Sequence, residues 1–101
     1  MLTIKAIADK RIMPKKCIFL GLPVTWALEH DFPIDKWITN FSVPSLFIQN
    51  THDPFFSYQE LVAFLQEKNV SNHQLVCTIG KTHNYEEYGL LREHILTFLE
   101  M

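Results

Sequence analysis

Two residues of this chain have the types and the setting to do acid–base chemistry together: Asp53 and His83. Asp53 closes the stretch Val43–Asp53, VPSLFIQNTHD. There Val43-Pro44 opens an apolar run, Leu46-Phe47-Ile48, and the polar set Gln49-Asn50-Thr51-His52-Asp53 ends it. His83 closes a second unit of the same kind, in which Leu75-Val76-Cys77-Thr78-Ile79 runs into Gly80-Lys81-Thr82-His83. Short apolar runs bounded by turn residues read as strands buried on both faces. In open parallel sheets, ligands and catalytic groups gather at the carboxyl ends of the strands, and both residues fall there. A carboxylate bonded to one imidazole nitrogen fixes the tautomer and stabilises the protonated ring. The other nitrogen is then free to act as a general base. Each residue also has an ordinary alternative: Asp53 as a turn acid before Pro54, and His83 as a loop histidine.

The rest of the chain supplies elements to position such a pair. Residues 2–11, LTIKAIADKR, place Ile4, Ile7 and Ala8 on one helical face, with Lys10 and Arg11 in a last turn that suits cations. No N-cap precedes Leu2, so the helix reads as one whose start has been cut away. Pro14-Lys15-Lys16 breaks it, and Cys17-Ile18-Phe19-Leu20 follows as a short strand closed by Gly21-Leu22-Pro23. Between residues 24 and 42, short helical turns are expected about Trp26-Ala27-Leu28 and Asp35–Ile38, separated by Asp31-Phe32-Pro33. The aromatics there, Trp26, Phe32, Trp37 and Phe41, with His30 and Asp31, read either as a pocket wall or as core and cover. Ser57-Tyr58-Gln59-Glu60 has the form of a capping box, opening a helix with Leu61, Val62 and Leu65 as its buried stripe. The final helix would bury Leu91, Ile95, Phe98 and Leu99. The expected architecture is α/β: a three-stranded parallel sheet (about 17–20, 44–49 and 74–79) flanked by helices (about 2–11, 57–69 and 86–100).

The bulk numbers bound the function. A chain of 101 residues is one domain or part of one. A hydrophobic share of 48% argues against disorder, and eight Phe suggest much surface to be covered. A net charge of −2 with no basic stripe excludes nucleic acid as the expected partner. If the runs holding Cys17 and Cys77 are strands separated by a third, the thiols lie two strand spacings apart, about 9–10 Å. A disulfide needs closer Cα atoms. Two buried free thiols, with Cys77 pointing into the sheet, suit a reducing compartment, so the expected location is cytoplasmic. No apolar run approaches the roughly 20 residues of a membrane span. Charges at Lys5, Asp9, Lys10 and Arg11 interrupt any signal peptide. His30, His73 and His94 are scattered without metal-ligand spacing, and His52 reads as a loop residue.

With these residues in view, Pro44-x-Leu46-x-Ile48-x-Asn50-x-x-Asp53-Pro54, followed by Gly80-x-x-His83-x-Tyr85, resembles the C-terminal part of an α/β-hydrolase. In that family the triad runs in chain order nucleophile, acid, histidine. By position Asp53 matches the acid and His83 the histidine, and the final amphipathic helix agrees. The resemblance covers nearly the whole chain, but only the C-terminal portion of a typical family member. It implies a parent reaction of ester hydrolysis with no cofactor. Asp53 would orient and charge-stabilise His83, which would serve as base and then acid. The family often has Gly at the position of Asn50; Asn also tolerates left-handed backbone angles, so the turn stays feasible.

The nucleophile departs from the pattern. The family needs Gly-x-Ser-x-Gly on a strand-to-helix elbow. The three glycines here, Gly21, Gly80 and Gly89, stand far apart, and none of Ser42, Ser45, Ser57 and Ser71 lies in an elbow. Ser57 reads as a helix cap, and Thr82 and Cys77 lack nucleophile context. Met1–Ala6 resembles the body of the helix that the elbow would open, just past its N-terminus. The chain is therefore expected to be inactive alone, whether as a gene fragment, a truncated frame or half of a split enzyme. A small-molecule ester would be a substrate only of the completed enzyme. The other expectation is a non-catalytic binding or interaction module that keeps the fold. In either case Cys17–Leu20 would be an unpaired apolar edge, inviting self-association or a partner carrying the N-terminal half.

Overall fold

Strand β2, Ser45–Asn50, is buried at every position because it has a parallel neighbour on each side and helices over both faces. In the computed structural model of the chain, residues 2–83, 85 and 88–101 are described, with Leu2, Thr3 and Tyr88 as backbone alone. Strand β1, Cys17–Leu20, pairs with β2 from Cys17↔Ser45 to Leu20↔Ile48. Strand β3, His73–Thr78, pairs on the other side from Ser45↔His73 to Asn50↔Thr78. The order β1-β2-β3 makes an α/β layer with a parallel three-stranded sheet.

The two faces of β2 belong to different cores. Phe47 stacks on Phe19 at 5.0 Å, and Phe19 meets Phe41 edge-on at 6.2 Å. This face is covered by α1 (Leu2–Ala8), α2 (Val24–Glu29), α3 (Ile34–Trp37) and α4 (Tyr58–Glu67), which contribute the fully buried Ile4, Ala27, Ile34, Leu61 and Leu65. Full burial of each large apolar side chain contributes about 1.5–3 kcal/mol. The opposite face, with Leu46, Ile48, Ile18 and Val76, is covered by Leu91, Ile95 and Phe98 of α5, Tyr88–Leu99. Lys16 ties that helix down: its Nζ donates to Phe98 O at 2.7 Å and Met101 O at 3.0 Å, satisfying carbonyls at the helix end.

Register is set at the amino ends of the strands. Asn40, Asn69 and Asn72 all adopt left-handed angles (φ 61, 56 and 57), which Asn tolerates best after Gly. Asn69 Nδ2 donates to Asn40 Oδ1 and Asn72 Nδ2 to Ser42 O, each at 2.9 Å. The loops leading into β2 and β3 are thus clipped together before the strands begin. Ser57 and Glu60 form the expected capping box, with Glu60 N donating to Ser57 Oγ and Ser57 N to Glu60 Oε1.

Several expectations need correction. The first helix ends at Ala8 rather than 11, because Lys10 turns left-handed at φ 60; Ala8, Lys10 and Arg11 are exposed. The helix placed at 57–69 spans Tyr58–Glu67, and Phe64 joins Leu61 and Leu65 in its buried stripe while Val62 is half-buried. β2 begins one residue later than expected and reaches Asn50. β3 ends at Thr78, leaving Ile79 97% exposed, and Cys77 faces outward instead of into the core. Leu99 is exposed too, since the stripe of α5 turns away from the sheet after Phe98. The expected start of that helix at Glu86 lies outside the described residues. Among the described residues, no helix is long and apolar enough to cross a membrane.

Candidate active site

Asp53 and His83 meet because the pairing of β2 with β3 continues past the ends of both strands. Thr51 N donates to Thr78 O at 2.7 Å and His52 N to Gly80 O at 2.9 Å. The turn after β2 therefore lies against the loop after β3. Asp53 builds its own turn as an Asx residue does: its Oδ1 accepts from Phe55 N at 2.9 Å. Its other oxygen, Oδ2, lies 2.8 Å from His83 Nδ1. The carboxyl group is fully buried, whereas the His83 side chain keeps 36% of its surface. The acid is shielded from water and the imidazole is reachable. Because Oδ2 acts here as an acceptor, Nδ1 carries the proton. Nε2 is left as the basic nitrogen, with no hydrogen-bond partner among the described residues.

A second donor reaches the same oxygen. Tyr85 OH donates to Asp53 Oδ2 at 2.8 Å and accepts from Asn50 N, also at 2.8 Å. Burial pushes the Tyr85 phenol well above the ordinary tyrosine range; the Asn50 amide pulls it back down, and the neighbouring Asp53 adds to the rise. Asn50 is also a strap. Its Oδ1 accepts from Thr78 Oγ1 at 2.5 Å and its Nδ2 donates to Thr82 O at 2.9 Å. It lies within β2 rather than at a left-handed turn position, so its side chain, not its backbone tolerance, is what the site uses. A Cβ on Gly80 would come within 2.8 Å of that side chain.

The wall beside His83 comes from the loops after β1 and β2, which Gln49 holds together. Gln49 is 1% exposed. Its Oε1 accepts from Leu22 N at 3.0 Å, and its Nε2 donates to Phe56 O at 2.6 Å. Pro23, Trp26, Phe55 and His83 then line an open hollow of about 240 Å³. Phe55 meets the imidazole edge-on at 4.7 Å. Of the aromatics between 24 and 42, Trp26 reaches this hollow and stacks on His30 at 4.3 Å and Phe32 at 5.8 Å. Phe41 is core, and Phe32 and Trp37 pack against it. Gly21, at φ +62, passes so close that a Cβ there would lie 2.5 Å from Tyr85 Cε1 and 2.9 Å from His83 Cε1.

No serine is bonded to the imidazole: Ser45 Oγ donates to Val43 O, Ser57 caps α4, and Ser42 and Ser71 are exposed elsewhere. His30 Nδ1 is bonded to Trp26 O, and His52 is exposed beside Asp53. Among the described residues, no group of three or more His, Cys, Asp or Glu side chains could hold a metal ion. The contacts of Gln49 and Asn50 had one sequence signal, polar residues directly continuing an apolar strand. The Tyr85 bond to Asp53 had none beyond its nearness to His83. Comparisons with protein-family models, curated proteins and solved structures found no match to the chain.

Proposed function

We propose that this chain is the acid–histidine portion of an α/β-hydrolase, with ester hydrolysis as the parent reaction. The observation that carries this reading is the 2.8 Å bond from His83 Nδ1 to the fully buried Asp53, made at the carboxyl ends of adjacent parallel strands. Asp53 holds the imidazole in one tautomer and stabilises the imidazolium. His83 Nε2 takes the proton of an attacking hydroxyl and returns it to the leaving alkoxide. The hydroxyl and the oxyanion donors belong to a segment carrying an elbow strand. That segment would pair with the outer edge of β1, where Leu20 is 46% exposed. Without it, this polypeptide performs little or no hydrolysis. The compartment that suits two free thiols is the cytoplasm.

The test is completion. The genomic sequence upstream of Met1 is read for an in-frame strand and Gly-x-Ser-x-Gly. The joined product is then assayed on p-nitrophenyl esters beside the 101-residue chain. Turnover by the joined product, abolished by His83→Ala, supports the reading. Two results would sink it: turnover by the short chain that His83→Ala removes, or an upstream region encoding no elbow. The second result favours a binding module that keeps the fold.

A further inference from the structure

We propose that Tyr85 is a positioning residue that sets the basicity of His83 by sharing the carboxylate oxygen to which the imidazole is bonded. This rests on reading Asp53 and His83 as the working pair, but its test needs no ester and no nucleophile.

The geometry fixes the direction of the phenol's single proton. The Tyr85 oxygen accepts from Asn50 N at 2.8 Å, and a backbone N–H can only donate. Its O–H therefore points at its other neighbour, Asp53 Oδ2, at 2.8 Å. That oxygen already receives His83 Nδ1 at 2.8 Å, and Oδ1 receives Phe55 N at 2.9 Å. The result is a chain of donors, amide to phenol to carboxylate, in which each bond polarises the next. Burial keeps the phenol protonated across the neutral range, so the donor is permanent. The tyrosine withdraws negative charge from the oxygen that would otherwise serve His83 alone. The imidazolium is stabilised less than it would be by a carboxylate it did not share.

The ring has no freedom to leave. Gly21 lies against it so closely that a Cβ would be 2.5 Å from Cε1, and Tyr85 packs with Leu46, Ile48, Leu91 and Phe98 on the α5 side of the sheet. Among the described residues, the groups facing His83 are Asp53, Tyr85, Phe55, Trp26 and Gly21. Of these described groups Asp53 and Tyr85 titrate, and comparison of the Tyr85 variants isolates the phenol's share.

The experiment is an NMR titration of the imidazole Cε1–H resonance of His83, assigned by its loss in His83→Gln. In Tyr85→Phe the His83 midpoint moves up by about one pH unit, the size expected for losing one hydrogen bond to a charged group. Tyr85→3-fluorotyrosine keeps the shape, makes the phenol a stronger donor and moves the midpoint down. If Tyr85→Phe does not fold, the fluorinated variant decides alone. Unchanged midpoints in the folded variants, or a fluorinated variant that moves upward, would overturn the proposal. Failure of the hydrolase reading would show instead as an inert completed enzyme whose titrations still behave as stated.

Discussion

Asn50 Nδ2 donates to Thr82 O across 2.9 Å, so the residue that ends β2 also grips the loop presenting His83. With Oδ1 held by Thr78 Oγ1, one buried side chain spans β2, β3 and the histidine loop. Asn50→Ala removes these bonds and leaves the buried Thr78 hydroxyl without the amide oxygen it donates to, at a cost of about 1–3 kcal/mol. Urea unfolding should show a loss of that order, and the His83 resonances should broaden as the loop loosens. A variant as stable as the parent would mean that the strap contributes no net stability.

Gly21→Ala should be worse than a methyl group suggests. The left-handed angle alone costs roughly 1–2 kcal/mol for a residue with a Cβ. The added carbon also sits 2.5 Å from the Tyr85 ring and 2.9 Å from His83 Cε1, so the rings must shift. The expected outcome is a lower urea midpoint together with a changed His83 titration. Loss of stability with an untouched titration would show that the backbone angle alone is at issue.

Alkaline pH tests the burial of Tyr85. Its phenol is raised above the ordinary value, chiefly by burial. Below about pH 10 both the folded and unfolded chains keep the proton, and the stabilisation is fully present. Above that the unfolded chain loses its proton first, so stability falls as pH rises. Urea midpoints between about pH 9 and pH 11 should fall more steeply for the parent than for Tyr85→Phe. Parallel curves would place the phenol in water.

Much of this site was legible in the sequence, and the reasons are local. Asp53 and His83 each follow a short apolar run, and a carboxyl strand end is where a parallel sheet delivers side chains. What stayed hidden depends on tertiary contact. Gln49 reads only as a polar residue closing the expected strand, yet its buried side chain joins two loops that are distant in sequence. Cys77 and Ile79 read as interior because their neighbours are apolar. They are exposed because β3 is an edge strand with less cover, which hydrophobic patterning does not report.

The two thiols should separate cleanly. Cys17 is buried, and burial raises its thiol above the ordinary range, partly offset by a bond with Ser45. Cys77 is exposed. Iodoacetamide under native conditions, followed by mass spectrometry, should modify Cys77 first, with Cys17 reacting only on unfolding. Equal rates would contradict this placement of β3.

The outer side of β1 should make the chain associate. Ile18 and Leu20 point their backbone groups away from β2, and Ile12, Met13 and Leu20 are exposed nearby in sequence. Sedimentation at micromolar concentration should show species larger than the monomer, reduced by Leu20→Lys. A clean monomer across the range would mean that the edge is inert.

The central place of β2 also gives each of its two closures its own reporter in folding. Its two pairings, Cys17 with Ser45 and Ser45 with His73, both join segments distant along the chain. Such closures are slow and must lose chain entropy before contacts return it. Asp53 can be in place when β2 first docks, but it has no imidazole beside it until β3 arrives on the far side. Formation of the Asp53–His83 bond therefore reports the closure of β3 onto β2, and probes on His83 should follow that step rather than the docking of β1 in a refolding trace.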